Sequence, residues 1–504
     1  MTSSVSNEET GGKISSNEET KDKTVSEIET GANPVNDEEC GEEVSWRCWI
    51  RTLFAASGAM LIFAFNGVAE SQSATMLLQL KKEDSHIRVT QDEETWIASL
   101  GILLSPLSAL VGGPGIDRFG RKKGIQFYYV CMGLGYGIIA CATNVSHLCI
   151  GRSICGFALG LEAVPVVYLA EISTKRQRSI FFSLVTAFFS LGIVLSNTLG
   201  YLPYPVASAI FSLVCFGYFI LQAFTPESPS WLYNAGRVDA SIASLERLGR
   251  SPADIQRELE VLKSTTKNTE KLTLASFSHP TVYKPFLILC LFHFIQSGTG
   301  VFDILYYTVD FVQALGTGYD PLNVSILMSI IKFVTTSTIG VYFTASASRK
   351  SATSFSSFWV AVTFGLAGAY AYVFRDVEDK PLSWFPIAMI LVSIAACSIG
   401  ITCLPWIMAG EVFPLRVRGA MSSAAFLVGA VLMFFAIKVY AVCIAALRIW
   451  GLMWLFAAFG VSGVFFGMFV LPETQNKTLY EIEQGFLPKE QRMADKEPVK
   501  IPEK

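Results

Sequence analysis

Twelve apolar runs, each long enough to cross a bilayer, follow one another along this chain and leave it few folds to choose from. They lie near residues 50–80, 95–116, 125–143, 148–170, 179–200, 206–224, 285–312, 323–344, 353–374, 382–410, 420–442 and 449–471. A helix needs about 20 mostly apolar residues to span the hydrocarbon, and in lipid only helices and closed barrels satisfy their own backbone. One polar stretch of 59 residues, Thr225 to Tyr283, divides the runs six and six. The expected fold class is an all-α membrane protein of twelve transmembrane helices in two six-helix halves, 47–224 and 284–471. The polar stretch 225–283 is expected to be a helical linker, with helix-like runs at Asp239–Leu248 and Ala253–Lys263 separated by Gly249 and Pro252. Composition agrees: 16% of the 504 residues are charged, against about 25% in soluble proteins.

The net charge of −3 hides an asymmetry. Residues 1–46 hold twelve Asp or Glu against Lys13, Lys21 and Lys23, so the other 458 residues net +6. That acidic tail repeats Ser-Asn-Glu-Glu-Thr at Ser6–Thr10 and Ser16–Thr20 and is too polar to build a core, which predicts a disordered cytosolic tail able to meet a cytosolic partner. The connections 117–123, 171–178, 345–350 and 411–418 carry +3, +2, +2 and +1, whereas 81–94 carries −2. The positive-inside rule therefore places both termini, including the tail 472–504, in the cytosol. Asn323-Val-Ser would then lie outside as a glycosylation sequon. Eleven Cys show no metal or CxxC spacing, and His86, His147, His279 and His293 are scattered without ligand spacing. No nucleotide-binding loop follows a strand. The sequence points to no cofactor, no metal, no nucleic-acid partner and no enzyme activity.

The first connection reads Gly113-Pro-Gly-Ile-Asp117-Arg118-Phe-Gly120-Arg121-Lys122, which resembles the G-x-x-x-D-R-x-G-R-K signature of the major facilitator superfamily. Gly151-Arg152, Glu171 with Arg178, Pro226-Glu-Ser-Pro-Ser-Trp231, Glu411 with Arg418, and Pro472-Glu473-Thr474 narrow the resemblance to the sugar porter family. Within it, Thr186-Ala187-Phe188, Cys403-Leu-Pro405-Trp406 and Lys438 look most like the arthropod facilitated trehalose-transporter group. The resemblance implies a plasma-membrane carrier that moves a sugar by alternating access.

The pair Glu171/Arg178 recurs in form as Glu411/Arg418, as expected of a duplicated unit. With Asp117, Arg118 and Arg121 these charges would form a gating network that locks the halves together on the cytosolic side while the transporter is open outward. The counterpart of the first connection in the second half, Ala345-Ser-Ala-Ser348-Arg349-Lys350, keeps only the basic pair. The latch should therefore be lopsided, stronger in the N-terminal half. In the tenth span Gly400, Pro405 and Gly410 weaken the helix, a bend suited to a gate.

For the solute, the resemblance carries over Gln296 and Trp406 as contacts; Thr186, Ser297 and Thr299 are positional candidates. Departures stand beside these matches. Ser297 and Phe302 replace a Gln and an Asn of the family pattern, Thr186 replaces a Gln, and Gly429 replaces an Asn. Charges appear at membrane depth instead: Glu70, Arg152, Glu162, Asp303 and Lys332. Each is costly there and needs a cavity or a partner. Asp303 and Lys332, in neighbouring spans, are expected to pair, either as a helix–helix salt bridge or in the service of a substrate. The resemblance also implies that proton-coupled members place an Asp where this chain has Asn66, which favours facilitated diffusion. The alternatives are a proton-coupled or organic-ion transporter on the same fold, or a sugar sensor that transports nothing.

Overall fold

The computed structural model describes residues 46–82, 86–266, 279–377, 380–414, 417–475, 477 and 479–487. Apart from Trp46, the acidic tail lies outside the described residues, as does 488–504. From Arg47 onward the described residues form one compact unit.

All described secondary structure is helical. Span 1 is Trp46–Leu80, span 2 is Gln91–Leu103 with Ser105–Phe119, and span 3 is Arg121–Ala140. Span 4 is Val145–Leu159 with Ala163–Ile172; spans 5 and 6 are Lys175–Leu199 and Tyr204–Gln222. Span 7 comes in three pieces, Pro280–Gly298, Val301–Tyr306 and Thr308–Leu315, and span 8 runs from Pro321 through a π-helical turn, Thr336–Gly340, to Ser346. Span 9 is Arg349–Val373, and span 10 is Trp384–Ile399 with Leu404–Glu411. Spans 11 and 12 run on as Arg418–Phe465, separated by a sharp kink at Arg448 (φ 57°, ψ 175°). This is the twelve-helix architecture expected from the apolar runs. Local chemistry marks several starts: Thr90 with Glu93 and Thr174 with Gln177 form capping boxes.

The linker carries three described helices, Pro229–Asn234, Val238–Arg247 and Pro252–Thr266. Pro252 opens the last of them rather than merely separating two runs, because the first helical turn needs no proline N–H. Residues 267–278 lie outside the described set.

Within the first half, span 3 packs on spans 4 and 6; within the second, span 9 packs on span 10 and on the rod of spans 11 and 12. The halves meet where span 5 faces span 8 and span 2 faces span 11. Lipid is left to outward apolar side chains such as Leu213, 72% exposed, and Phe469, 73% exposed, a degree of exposure that water would not favour. Spans 1 and 5 cross at glycine contacts. A Cβ built on Gly192 would lie 1.8 Å from the Ala64 carbonyl oxygen, and one on Gly67 2.0 Å from that of Phe189. Small residues that let backbones touch are the usual adhesive where lipid removes the hydrophobic drive. Gly192→Ala should therefore destabilise the first half by about 1–3 kcal/mol, read as a lower midpoint in thermal unfolding of the detergent-solubilised protein.

Candidate transport site and gates

On the face of the bundle that carries the chain ends, each half holds a buried arginine in the same cradle. In the first, Arg121 Nε and Nη2 donate to Glu171 Oε2 and Oε1 at 3.0 and 3.2 Å, and Nη1 reaches Asp117 Oδ1 at 3.2 Å. Glu171 also accepts from the Ser228 hydroxyl. Glu227 caps the start of span 3, its Oε1 accepting the backbone N–H groups of Arg121 and Lys122 at 3.0 and 2.9 Å.

The second half repeats this arrangement except for the Asp117 contact. Arg349 Nη2 donates to Glu411 Oε1 at 2.8 Å, Thr474 Oγ1 donates to Glu411 Oε2 at 2.6 Å, and Glu473 accepts the N–H groups of Arg349 and Lys350 at 3.0 and 3.3 Å. Burial alone would raise the Glu473 carboxyl; hydrogen bonds from Ser348, Gln475, Arg349 and Lys350 outweigh it and hold it below the usual range.

Two expectations are corrected here. The latch is not lopsided at its centre, because Arg349 takes the part that Arg121 plays and only the Asp117 contact lacks a counterpart, Ala345 standing in its place. On this face both partners of each described ion pair in the cradles come from one six-helix bundle. Arg118 and Arg178 stay outside the carboxylate clusters: Arg118 is exposed over the Phe119 ring, and Arg178 donates to the Ala170 carbonyl at the end of span 4. The Arg418 side chain lies outside the described residues.

Contacts between the halves gather on the opposite face. Lys81, just past span 1, bridges Glu94 of span 2 and Asp310 of span 7 at 3.1 and 3.0 Å. Lys438 of span 11 donates to Thr95 Oγ1 at 2.6 Å and lies 4.0 Å from the centroid of the Trp96 ring. Tyr201 bonds Asn323, whose amide also donates to Asp320 at 2.9 Å. The sequon asparagine is thus engaged in this contact.

At mid-depth the break in span 10 organises the site. Gly400 (φ −139°, ψ −73°) interrupts the helix, and a Cβ there would lie 2.4 Å from the Ala352 carbonyl oxygen. The freed groups find side chains: Ser356 Oγ accepts the Ile401 N–H at 3.2 Å, and Gln296 Nε2 donates to the carbonyls of Ile401 and Thr402 at 3.0 and 2.8 Å. Gln296 Oε1 meets His293 Nδ1 at 3.1 Å, and the His293 ring packs edge-on to Trp406, centroids 4.8 Å apart. A Cβ on Gly429 would lie 2.9 Å from that imidazole, so the missing branch at 429 makes room for it.

Near this break a small cavity lies between spans 5, 7, 8 and 10. Val301, Ile304, Leu305 and Thr308 form its span-7 wall, a one-face helical stripe. Asp303 falls off that stripe. It sits within electrostatic reach of Tyr307 and Tyr440, whose rings stack 4.4 Å apart, whereas Lys332 lines the cavity 5.6 Å from the centroid of the Phe189 ring. Among the described residues no ion pair joins Asp303 to Lys332, and Asp303 Oδ1 has no hydrogen-bond partner. The expected pair does not form because the two side chains leave different faces of their helices.

Arg152 is fully buried and donates to the carbonyls of Ile97 and Ala69 and to Ser73 Oγ, at 3.2, 2.7 and 2.5 Å. Asn66 instead accepts the Tyr128 hydroxyl at 2.7 Å. Glu162 is exposed at the turn between the two pieces of span 4.

The family described as "Sugar (and other) transporter" matches residues 51–486. The chain belongs to that family. It is 27% identical to the facilitated trehalose transporter Tret1 of Culex quinquefasciatus over 90% of this chain and 89% of the relative, and 29% identical to that of Bombyx mori over 86% of each. A partially occluded inward-open structure of the xylose transporter XylE from E. coli superposes with a TM-score of 0.70 at 17% identity, covering 86% of this chain and all of that one. The fold is thus the major facilitator fold, and the protein is a multi-pass membrane transporter of the sugar class, not an enzyme.

For such a transporter the anticipated contacts divide. Gln296 is wholly buried with both ends of its amide engaged by protein, and Thr299 donates to the Gln296 carbonyl at 2.6 Å. Trp406 and Thr186 are half-buried, and Ser297 is buried with its hydroxyl unpartnered. His293 was missed, and the signal available was the glycine at 429 opposite it. Gln296→Ala should leave two carbonyls of the broken helix unsatisfied, each costing about 1–3 kcal/mol; thermal unfolding should report that loss without any solute present, which a pure solute contact would not produce. Lys81→Ala should weaken closure of the far face by about 0.2–1 kcal/mol, a partly exposed pair's worth, seen as faster labelling of a cysteine placed behind it by an impermeant maleimide.

Proposed function

We propose that this protein carries a sugar or sugar-like solute through the plasma membrane by facilitated diffusion, with both termini in the cytosol and the two halves rocking about a midplane site. The uncoupled mode rests on the setting of Arg152. Its bonds all go to neutral acceptors, and the residue at the position of interest, Asn66, is bonded to Tyr128 and cannot titrate. No proton is then needed to release the guanidinium. With the termini inside, the contacts of Lys81, Lys438 and Tyr201 close the outer side, while the two arginine cradles remain separate below, which fits a carrier poised toward the cytosol.

Trehalose is the proposed first cargo, in keeping with the names of the relatives, and a hexose the second. The acidic residues 1–46 suit a basic cytosolic partner. Uptake of labelled trehalose and hexoses into liposomes holding the purified protein should reach equilibrium with the medium and ignore an imposed pH gradient. Accumulation driven by that gradient would overturn the uncoupled reading, and saturable binding without uptake would replace the carrier with a sensor.

A further inference from the structure

We propose that the cavity between spans 5, 7, 8 and 10 receives a carboxylate borne by a sugar-sized solute, with Lys332 as counter-charge and the hydroxyls of Ser325 and Thr402 as donors. The inference rests on the reading of a carrier for sugar-like solutes and, within that class, favours an acidic sugar over the neutral trehalose and hexoses named above. Three observations support it.

The first is what the site no longer offers. Neutral sugars are held by side-chain amides that donate and accept. Here Gln296 is engaged by the broken tenth span, while Ser297, Phe302 and Gly429 stand where amides were expected. The second is what the cavity wall does offer. Lys332 lines it, and among the described residues no carboxylate lies within ion-pair distance of its ammonium group; Ser325 Oγ and Thr402 Oγ1, also in the lining, are buried without partners. A cation from span 8 and two unmet donors, one from span 8 and one from span 10, in a single lining are complementary to an anionic acceptor.

The third bears on the charge of that acceptor. Glu70 lies within electrostatic reach of Lys332, Arg152 and Glu162, so two carboxylates already face two cations around the site. A dianionic phosphate would add twice the negative charge of a carboxylate beside them in a medium of low dielectric.

The probes are glucuronate, its methyl ester, glucose 6-phosphate, glucose and trehalose, offered to the full-length protein in liposomes. Glucuronate should be taken up saturably, and its methyl ester, the same shape without the charge, should compete at least tenfold more weakly. Lys332→Met should raise KM for glucuronate on the order of ten- to a hundredfold, as expected for a lost charge-assisted bond, and Lys332→Arg should retain most of the affinity. If Lys332→Met does not fold, the ester comparison on the unaltered protein decides alone. Equal competition by acid and ester, an unchanged KM in Lys332→Met, or stronger competition by glucose 6-phosphate than by glucuronate would overturn the proposal. Trehalose or glucose crossing while glucuronate does not would overturn it and leave the carrier reading intact; no uptake of any probe would remove both.

Discussion

A backbone group that leaves a helix inside a membrane has no water to turn to, and much of the central architecture follows from how span 10 meets that constraint. Gly400 lets the helix part, Ser356 takes the freed Ile401 N–H, and Gln296 takes the freed carbonyls of Ile401 and Thr402. A residue expected to greet the solute is thereby drawn into holding the hinge. His293 is fixed by the other end of the same amide and lies against Trp406, the one aromatic expected to face a sugar ring. Hinge, aromatic wall and amide thus act as a single unit, so a change at Gln296 reaches all three.

The two arginine cradles express the duplication of the fold more fully than their sequences suggest. Pro-Glu-Ser at 226–228 and Pro-Glu-Thr at 472–474 supply the same two services: a carboxylate that caps the helix bearing the arginine, and a hydroxyl that donates to the arginine's partner. A capping carboxylate at a helix N-terminus is favoured twice, by hydrogen bonds and by the helix dipole. Because each cradle closes within its own half, it keeps that half's helix ends in register while the halves change their separation. Among the described residues, the ion pairs and hydrogen bonds that cross between the halves lie toward the other face, as with Lys81, Lys438 and Tyr201.

Much of the scaffold was legible. Apolar run length revealed twelve spans, the single long polar stretch revealed the six-and-six division, and Gly249 and Pro252 marked the facing ends of two of the three described linker helices within a residue or two. The candidate site was legible only in part. Ser-Arg349-Lys350 looked like a degraded motif because its missing Asp and Gly were conspicuous, while the atoms that matter, one guanidinium and two backbone N–H groups, were all present. Asp303 and Lys332 looked like partners because neighbouring spans bring them close in sequence order, yet helical phase sends them to different faces. Lys81 and Asp310, 229 residues apart, carry no local pattern that would join them.

By itself, the sequence determined that this chain crosses a membrane twelve times in two related halves, since run length and the cost of unpaired backbone in lipid leave no other solution. It also settled the kind of residues available to the midplane, including charges that must face a cavity or a partner. Only the tertiary structure decided which of them meet: that Gln296 serves the broken helix, that His293 fills the space Gly429 leaves, and that Lys332 lines a cavity instead of pairing with Asp303. The reason is physical. Burial of apolar surface depends on composition summed over a segment, whereas a hydrogen bond or ion pair depends on the facing of two side chains to within about an ångström, which helix phase and packing fix together.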